Sequence, residues 1–166
     1  MKLNFCILSI SDTRTLATDS SGKKLSELIS IDGHHILSHK IVKDNLYEIR
    51  AQISNWCIDK NIDVIITSGG TGLTGRDSTP EAILPLLDKT IEGFGELFRM
   101  ISFDEIGSST IQSRCIAGTI NGKYIFSLPG STNAVTTAWE KILSKQFNFE
   151  TKPCNFVTLI PRLNEK

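Results

Sequence analysis

A chain of 166 residues, 40% hydrophobic and 22% charged, can bury one full core and is too short for two ordinary domains, so a single domain over residues 1–166 is expected. Its 18 basic and 18 acidic residues cancel to a formal net charge of +0. No summed field recruits nucleic acid or an anionic membrane surface, and any acidic ligand must be met by local groups.

The predicted elements begin with a strand from Leu3 to Ile10. This apolar start has no small-residue cleavage site and runs straight into Ser11-Asp12-Thr13-Arg14, so it reads as structure and not as a signal peptide, and a cytoplasmic protein is expected. Ligands of open α/β sheets bind outside the carboxyl ends of strands, which makes Ser11, Asp12 and Thr13 candidates for a site wall; Asp12 can equally stabilise a turn. Leu25, Leu28 and Ile29 give a helix over Lys23 to Ile31, stopped by Asp32-Gly33. His34 to Asp44 reads as a strand, in which His35 and His39 are too far apart to share a metal ion. Asp44-Asn45 can cap a helix from Leu46 to Asp59.

The densest signal follows: β-branched Val64-Ile65-Ile66, then Thr67-Ser68-Gly69-Gly70-Thr71-Gly72-Leu73-Thr74-Gly75, then Arg76-Asp77-Ser78-Thr79-Pro80-Glu81-Ala82. This is a buried strand, a glycine loop whose backbone N–H groups can approach an anion, and a helix start. Either Thr79 caps that helix with Pro80 at its first position, or Ser78 caps it with Glu81 closing a capping box; the helix continues through Leu87. Phe94, Leu97, Phe98 and Ile101 fall on one helical face, a core face or a subunit interface. Ser113 to Ile120 and Lys123 to Leu128 form a hairpin through Asn121-Gly122, which makes the sheet mixed. Leu128-Pro129-Gly130-Ser131 again feeds a helix, extending to about Ser144. A short strand between Pro153 and Pro161 closes the chain. The alternation of strands and helices predicts a three-layer α/β/α sandwich with a mixed, mostly parallel sheet. The four cysteines, Cys6, Cys57, Cys115 and Cys154, form no CxxC pair, so buried thiols are expected.

Gly70 to Gly75 fits the dinucleotide fingerprint GxGxxG, but Arg76-Asp77-Ser78 separates it from the helix and it follows the third strand instead of the first. It also fits the GxxxxG frame of a P-loop, but Arg76-Asp77 stands where Lys and Ser or Thr are required. A carboxylate beside a polyphosphate repels it unless a divalent cation lies between, so Asp77 makes sense as a magnesium-organising residue, while Arg76 can reach phosphate oxygens or pair with Asp77. No Cys/His or Ser/His/Asp constellation accompanies the loop. Phosphoryl or nucleotidyl transfer, in which a protein chiefly positions phosphates, fits these residues.

Thr67 to Ala82 resembles the TTGGTGxxxRDxTPEA signature of the molybdopterin-binding MoaB/MogA family, with Ser68 where Thr is usual. The resemblance extends to Ser11-Asp12-Thr13-Arg14, Gly93 to Met100, Leu128-Pro129-Gly130-Ser131-Thr132, Thr137-Ala138-Trp139-Glu140 and Pro153-Cys154-Asn155-Phe156. It implies a homo-oligomer, a trimer or a pair of trimers. It also implies magnesium- and ATP-dependent adenylylation of molybdopterin, or, alternatively, molybdopterin binding without catalysis. Asp77 matches the signature's essential aspartate and Asp44 a second one, both organising magnesium. Gly69, Gly70, Thr71 and Gly72 would lie against phosphates, and Ser68 and Arg76 would join them in binding nucleotide or molybdopterin. Ser11, Asp12, Thr13, Pro129, Gly130 and Ser131 would shape the pterin and nucleotide pockets. Ser131 stands where related branches often carry Asn or Gln. A third reading takes the helix around Phe94 and Phe98 as an oligomer interface and the loop as a vestige.

Overall fold

The computed structural model describes residues 1–165. Six strands form one sheet: β1 (Asn4–Ile10), β2 (His35–Val42), β3 (Val64–Ser68), β4 (Lys89–Thr90), β5 (Ile116–Ile120) and β6 (Lys123–Leu128), in the order β2-β1-β3-β6-β5-β4. The first four in that order run parallel, and β5 and β4 are antiparallel to their neighbours. The helices are α1 (Ser20–Ile31), α2 (Leu46–Cys57), α3 (Thr79–Ile83), α4 (Glu92–Ile106) and α5 (Thr132–Ala138), the last running on through a π turn (Trp139–Leu143) to Gln146.

The period of two in the strands sorts their side chains into two separate cores. Phe5, Ile7, Val64, Ile66, Tyr124, Phe126 and Leu128 face α1, α4 and α5, where Leu25, Ile29, Phe94, Phe98, Val135 and Trp139 meet them. Cys6, Leu8, Ile10, Ile65 and Ile125 face α2 and α3, against Ile49, Ile53, Trp56, Ala82 and Ile83. Central strands apolar on both faces are what a covered parallel sheet requires, and the predicted three-layer α/β/α sandwich is what the chain adopts. The first core is aromatic: Phe126 meets Phe94 and Phe147 edge-on, with centroids 5.1 and 5.8 Å apart. Such pairs add roughly 0.5–1.5 kcal/mol each beyond area burial.

Several expectations are corrected. The final strand is instead a 3-10 helix, Val157–Arg162. Asn155 starts it by accepting the Thr158 N–H (3.1 Å) and taking the Thr158 hydroxyl on its carbonyl (2.9 Å). The helix after the glycine loop stops at Ile83 and tightens into a 3-10 turn, Leu84–Leu86, with Pro85 inside it. Helix α1 begins at Ser20 and not Lys23, because buried Asp19 caps it by accepting the Gly22 N–H. Helix α4 buries Phe94 and Phe98 in the core, so these two are not an interface; its outward face carries Leu97, Met100, Phe103 and Ile106, all exposed. The hairpin is as predicted: Asn121 (φ 44°) and Gly122 (φ 76°) both take the left-handed conformation that a two-residue turn of this hand demands. No helix among the described residues is long and apolar enough to cross a membrane.

Candidate functional site

Strand order places β2 on one side of β1 and β3 on the other, so the chain leaves β1 and β3 in opposite directions and opens a crevice outside their carboxyl ends. The loops that follow β1, β2, β3 and β6 meet there. The Ser11 N–H donates to Val42 O (2.9 Å), and the Gly69 N–H donates to Leu128 O (3.0 Å). Gly69 must be glycine twice over: its φ is 112°, and an added Cβ would collide with the Ile10 carbonyl oxygen. A Cβ on Gly130 would come within 3.2 Å of the Gly69 Cα, so the β3 and β6 loops touch through their backbones.

Gly70 (φ 65°) turns the loop, and a Cβ there would strike Thr79 Oγ1 and lie 2.7 Å from Asp44 Oδ2. Thr79 fastens the other end, its hydroxyl donating to Gly69 O (2.9 Å) and its N–H to Gly70 O (3.0 Å). Among the described residues, no acceptor takes the N–H of Gly70 or Thr71. Two adjacent free donors in a glycine-lined turn form a nest for an anion. The carrier of this property is the loop itself, since α3 has only five residues and a correspondingly small dipole.

The two predicted carboxylates flank that nest. Asp44 is not a helix cap: Asn45 caps α2 by accepting the N–H groups of Tyr47 and Glu48. Asp44 Oδ1 instead accepts both the N–H (3.1 Å) and the hydroxyl (2.8 Å) of Ser78. The predicted Ser78–Glu81 capping box is therefore not formed, and Ser78 makes no side-chain cap bond. Asp77 Oδ2 accepts the Thr74 hydroxyl (2.6 Å) and N–H (2.9 Å). The Thr74 hydroxyl, with the N–H groups of Thr74 and Gly72 and the charge of Arg114, holds this carboxyl below the ordinary range despite some burial, and it is ionised at neutral pH. Among the described residues no group of three or more His, Cys, Asp or Glu could hold a metal ion alone. Two carboxylates beside an anion nest would suit a magnesium ion shared with substrate phosphates, an ion that takes one or two protein carboxylates and completes its shell elsewhere. The residues present fit that ion.

Arg76 pairs not with Asp77 but with Asp12, Nη2 to Oδ2 at 2.6 Å, spanning from the glycine loop to the β1 loop across the crevice. Ser11 shapes its own loop, its Oγ accepting the N–H groups of Thr13 (3.3 Å) and Arg14 (3.1 Å). Ser68 Oγ reaches Pro129 O at 3.5 Å, and Ser131 caps α5 by accepting the Ala134 N–H at 3.1 Å. All the predicted site residues thus lie at one end of the sheet. A hollow of about 500 Å³ lined by Met1, His34 and Phe147 is at the opposite end.

Three residues escaped the sequence reading of the site. Arg14 donates to Ser21 Oγ (2.9 Å) and Gly130 O (3.1 Å), tying the β1 loop to α1 and to the β6 loop. Arg114, just before β5, binds the glycine loop from outside. Asp19 lies fully buried where the Ser9 hydroxyl and His39 Nε2 (2.9 Å) converge on its Oδ2. Burial raises this carboxyl, but hydrogen bonds from Ser9, the Gly22 N–H, His39 and Ser21 outweigh it and bring the group below the ordinary range. So Ser, His and Asp side chains do meet here, although Ser9 is only 2% exposed and offers a substrate no approach. The Asp19-Ser20-Ser21 run is a cap signal that could have located Asp19; Arg114 has no local signal at all.

A family model described as "Probable molybdopterin binding domain" matches residues 6–148. The chain is 51% identical over 150 residues to Molybdenum cofactor biosynthesis protein B of Escherichia coli (strain K12), covering 90% of this chain and 88% of that protein. It superposes on a crystal structure of a Molybdenum cofactor biosynthesis protein B with a TM-score of 0.90 at 43% identity, covering 100% and 98% of the two chains. The tungsten cofactor synthesizing protein MoaB from Pyrococcus furiosus matches with a TM-score of 0.78 at 38% identity, over 87% of this chain and 92% of that one.

Proposed function

The chain belongs to the molybdopterin-binding domain family, and on that premise we propose that it acts in molybdenum cofactor biosynthesis by adenylylating molybdopterin with ATP. A terminal phosphate oxygen of molybdopterin attacks the α-phosphorus of ATP, the bond to the bridging oxygen breaks, and pyrophosphate leaves with that electron pair. The observation that carries this reading is the nest at Gly70 and Thr71, with Asp44 on one side and Asp77 on the other, coupled through Ser78. Transfer of this kind asks a protein chiefly to position phosphates and to meet charge, and these groups are of the right type.

The free N–H groups hold phosphate oxygens. Asp44 and Asp77 would hold magnesium, which when bound would supply the charge that neutralises the polyphosphate. Arg76, paired with Asp12 across the crevice, can exchange that partner for a phosphate oxygen. Ser11, Asp12, Thr13, Pro129, Gly130 and Ser131 line the path by which the pterin reaches the loop. A cytoplasmic setting suits the free thiols of Cys6, Cys57, Cys115 and Cys154. The exposed row Leu97, Met100, Phe103 and Ile106 suits a subunit contact in a homo-oligomer.

Incubating the protein with ATP, magnesium and molybdopterin should yield adenylylated molybdopterin and pyrophosphate, and no product under those conditions overturns the proposal. One observation favours a second reading, a protein that holds molybdopterin without transfer: Asp77 Oδ2 is already engaged twice by Thr74. That reading predicts pterin binding with ATP left intact.

A further inference from the structure

Arg114 sits in the connection that enters β5, far in sequence from the glycine loop, yet it touches that loop along its length. Its backbone N–H donates to Thr71 O (3.2 Å), its Nε to Gly72 O (2.8 Å) and its Nη2 to Asp77 O (2.9 Å). The remaining arm, Nη1, pairs with Glu81 Oε1 in the first turn of α3. A planar guanidinium with fixed donor directions can hold two carbonyls and a carboxylate at once; an ammonium cannot reproduce that fork. The loop's carbonyls at positions 71, 72 and 77 are all drawn to Arg114, and the Asp77 carboxylate is carried on the same clamped backbone.

We infer that Arg114 is a positioning residue, which fixes the phosphate-facing conformation of Thr71 to Asp77 and thereby the place of the Asp77 carboxylate, without itself touching substrate. Glu81 is the anchor that orients it. Burial tends to raise the Glu81 carboxyl, but its bond with Arg114, a backbone hydrogen bond and the arginine's charge outweigh burial and hold it below the ordinary range. The kinetic part of this inference rests on the adenylyl-transfer reading; the conformational part does not.

The test is amide hydrogen exchange on the intact protein, run beside turnover. In Arg114→Ala, exchange of the hydrogen-bonded loop amides of Thr74, Asp77 and Ser78 should rise about 10-fold or more, the factor expected from losing one or two ordinary hydrogen bonds, while β1, β3 and β6 keep their protection. Arg114→Lys should loosen the loop nearly as much, and Glu81→Gln should do so in part, which keeps the test open should the alanine variant fold poorly. With ATP, magnesium and molybdopterin, Arg114→Ala should lower kcat about 10- to 100-fold, the usual cost of losing a group that orients a metal-binding residue, with the KM for ATP moving less than about 3-fold. Unchanged loop exchange overturns the inference. So does exchange raised equally across the sheet, or full turnover from a loosened loop. If the unaltered protein makes no product, the adenylyl-transfer reading falls and loop exchange alone decides the role of Arg114.

Discussion

Ser78 gives both its backbone N–H and its hydroxyl to one oxygen of Asp44, at 3.1 and 2.8 Å. The bond joins the loop after β2 to the residue that precedes α3 and sets Asp44 against the residue that follows Asp77. It also explains why two neighbouring residues divide their tasks: Asn45 caps α2, which leaves Asp44 free for the crevice.

If these two carboxylates share a cation with the substrate phosphates, Asp77→Asn should lower turnover by at least about 100-fold while the fold persists, since Asn retains an oxygen for Thr74. Asp44→Asn should behave alike, and Ser78→Ala should cost about 10-fold by leaving Asp44 with one donor. Circular dichroism would verify folding. Undiminished transfer in Asp77→Asn refutes the metal role.

Gly69→Ala should be among the most damaging single-atom changes in the chain. With φ at 112° and the Ile10 carbonyl in the way, it should cost about 2 kcal/mol or more, a fall in Tm of about 4–8 °C. Gly75, in the same loop, has open space where a Cβ would be added and no left-handed φ, so Gly75→Ala should leave Tm unchanged or slightly higher. Thermal melts of the two variants provide the comparison.

The buried Asp19 should make stability fall in acid. Its folded pKa is depressed, so its contribution is fully present above the unfolded value of about 4 and is lost as pH falls through the folded one. Asp19→Asn should therefore melt below the unaltered protein at pH 7, and the gap should narrow below about pH 4. The basic side chains facing this carboxylate are Arg14 at 3.7 Å and His39 at 2.9 Å, beside the donors Ser9, Ser21 and the Gly22 N–H. A gap independent of pH would show that Asp19 acts by shape alone.

Thiol labelling at pH 8 should find one fast site. Cys154 is exposed, whereas burial pushes the thiols of Cys6 and Cys57 up to about 11 and raises Cys115 as well. Cys154→Ser should abolish the fast phase.

Replacing Phe103 by Glu should reduce the mass seen by light scattering if the outward row of α4 is a subunit contact, with Tm changed little in the separated chain, because Phe103 is 57% exposed and outside both cores. An unaltered mass removes α4 from the interface.

What could be read from the sequence was what neighbouring residues decide among themselves. Asn121-Gly122 can make only a few turns, and Val64 to Ile66 could only be a covered strand, so the sandwich followed. The glycine loop was legible because its positive-φ positions demand glycine. The tail was misread because prolines bound strands and 3-10 turns alike, and Asn155, which starts the helix there, carries no sign of its partner Thr158. Ser78 bonding to Asp44, Arg76 to Asp12 and Arg114 to Gly72 are pairings across 34, 64 and 42 positions of chain, set by the sheet order and invisible to local pattern.

Strand β3 lies mid-chain, yet one of its two partners, β6, lies far along the chain, beyond the hairpin turn at Asn121-Gly122. Until Leu128 is seated, the Gly69 N–H lacks its acceptor and Gly130 is not yet beside it. The segment richest in sequence signal therefore owes its final shape to contacts that lie far away along the chain.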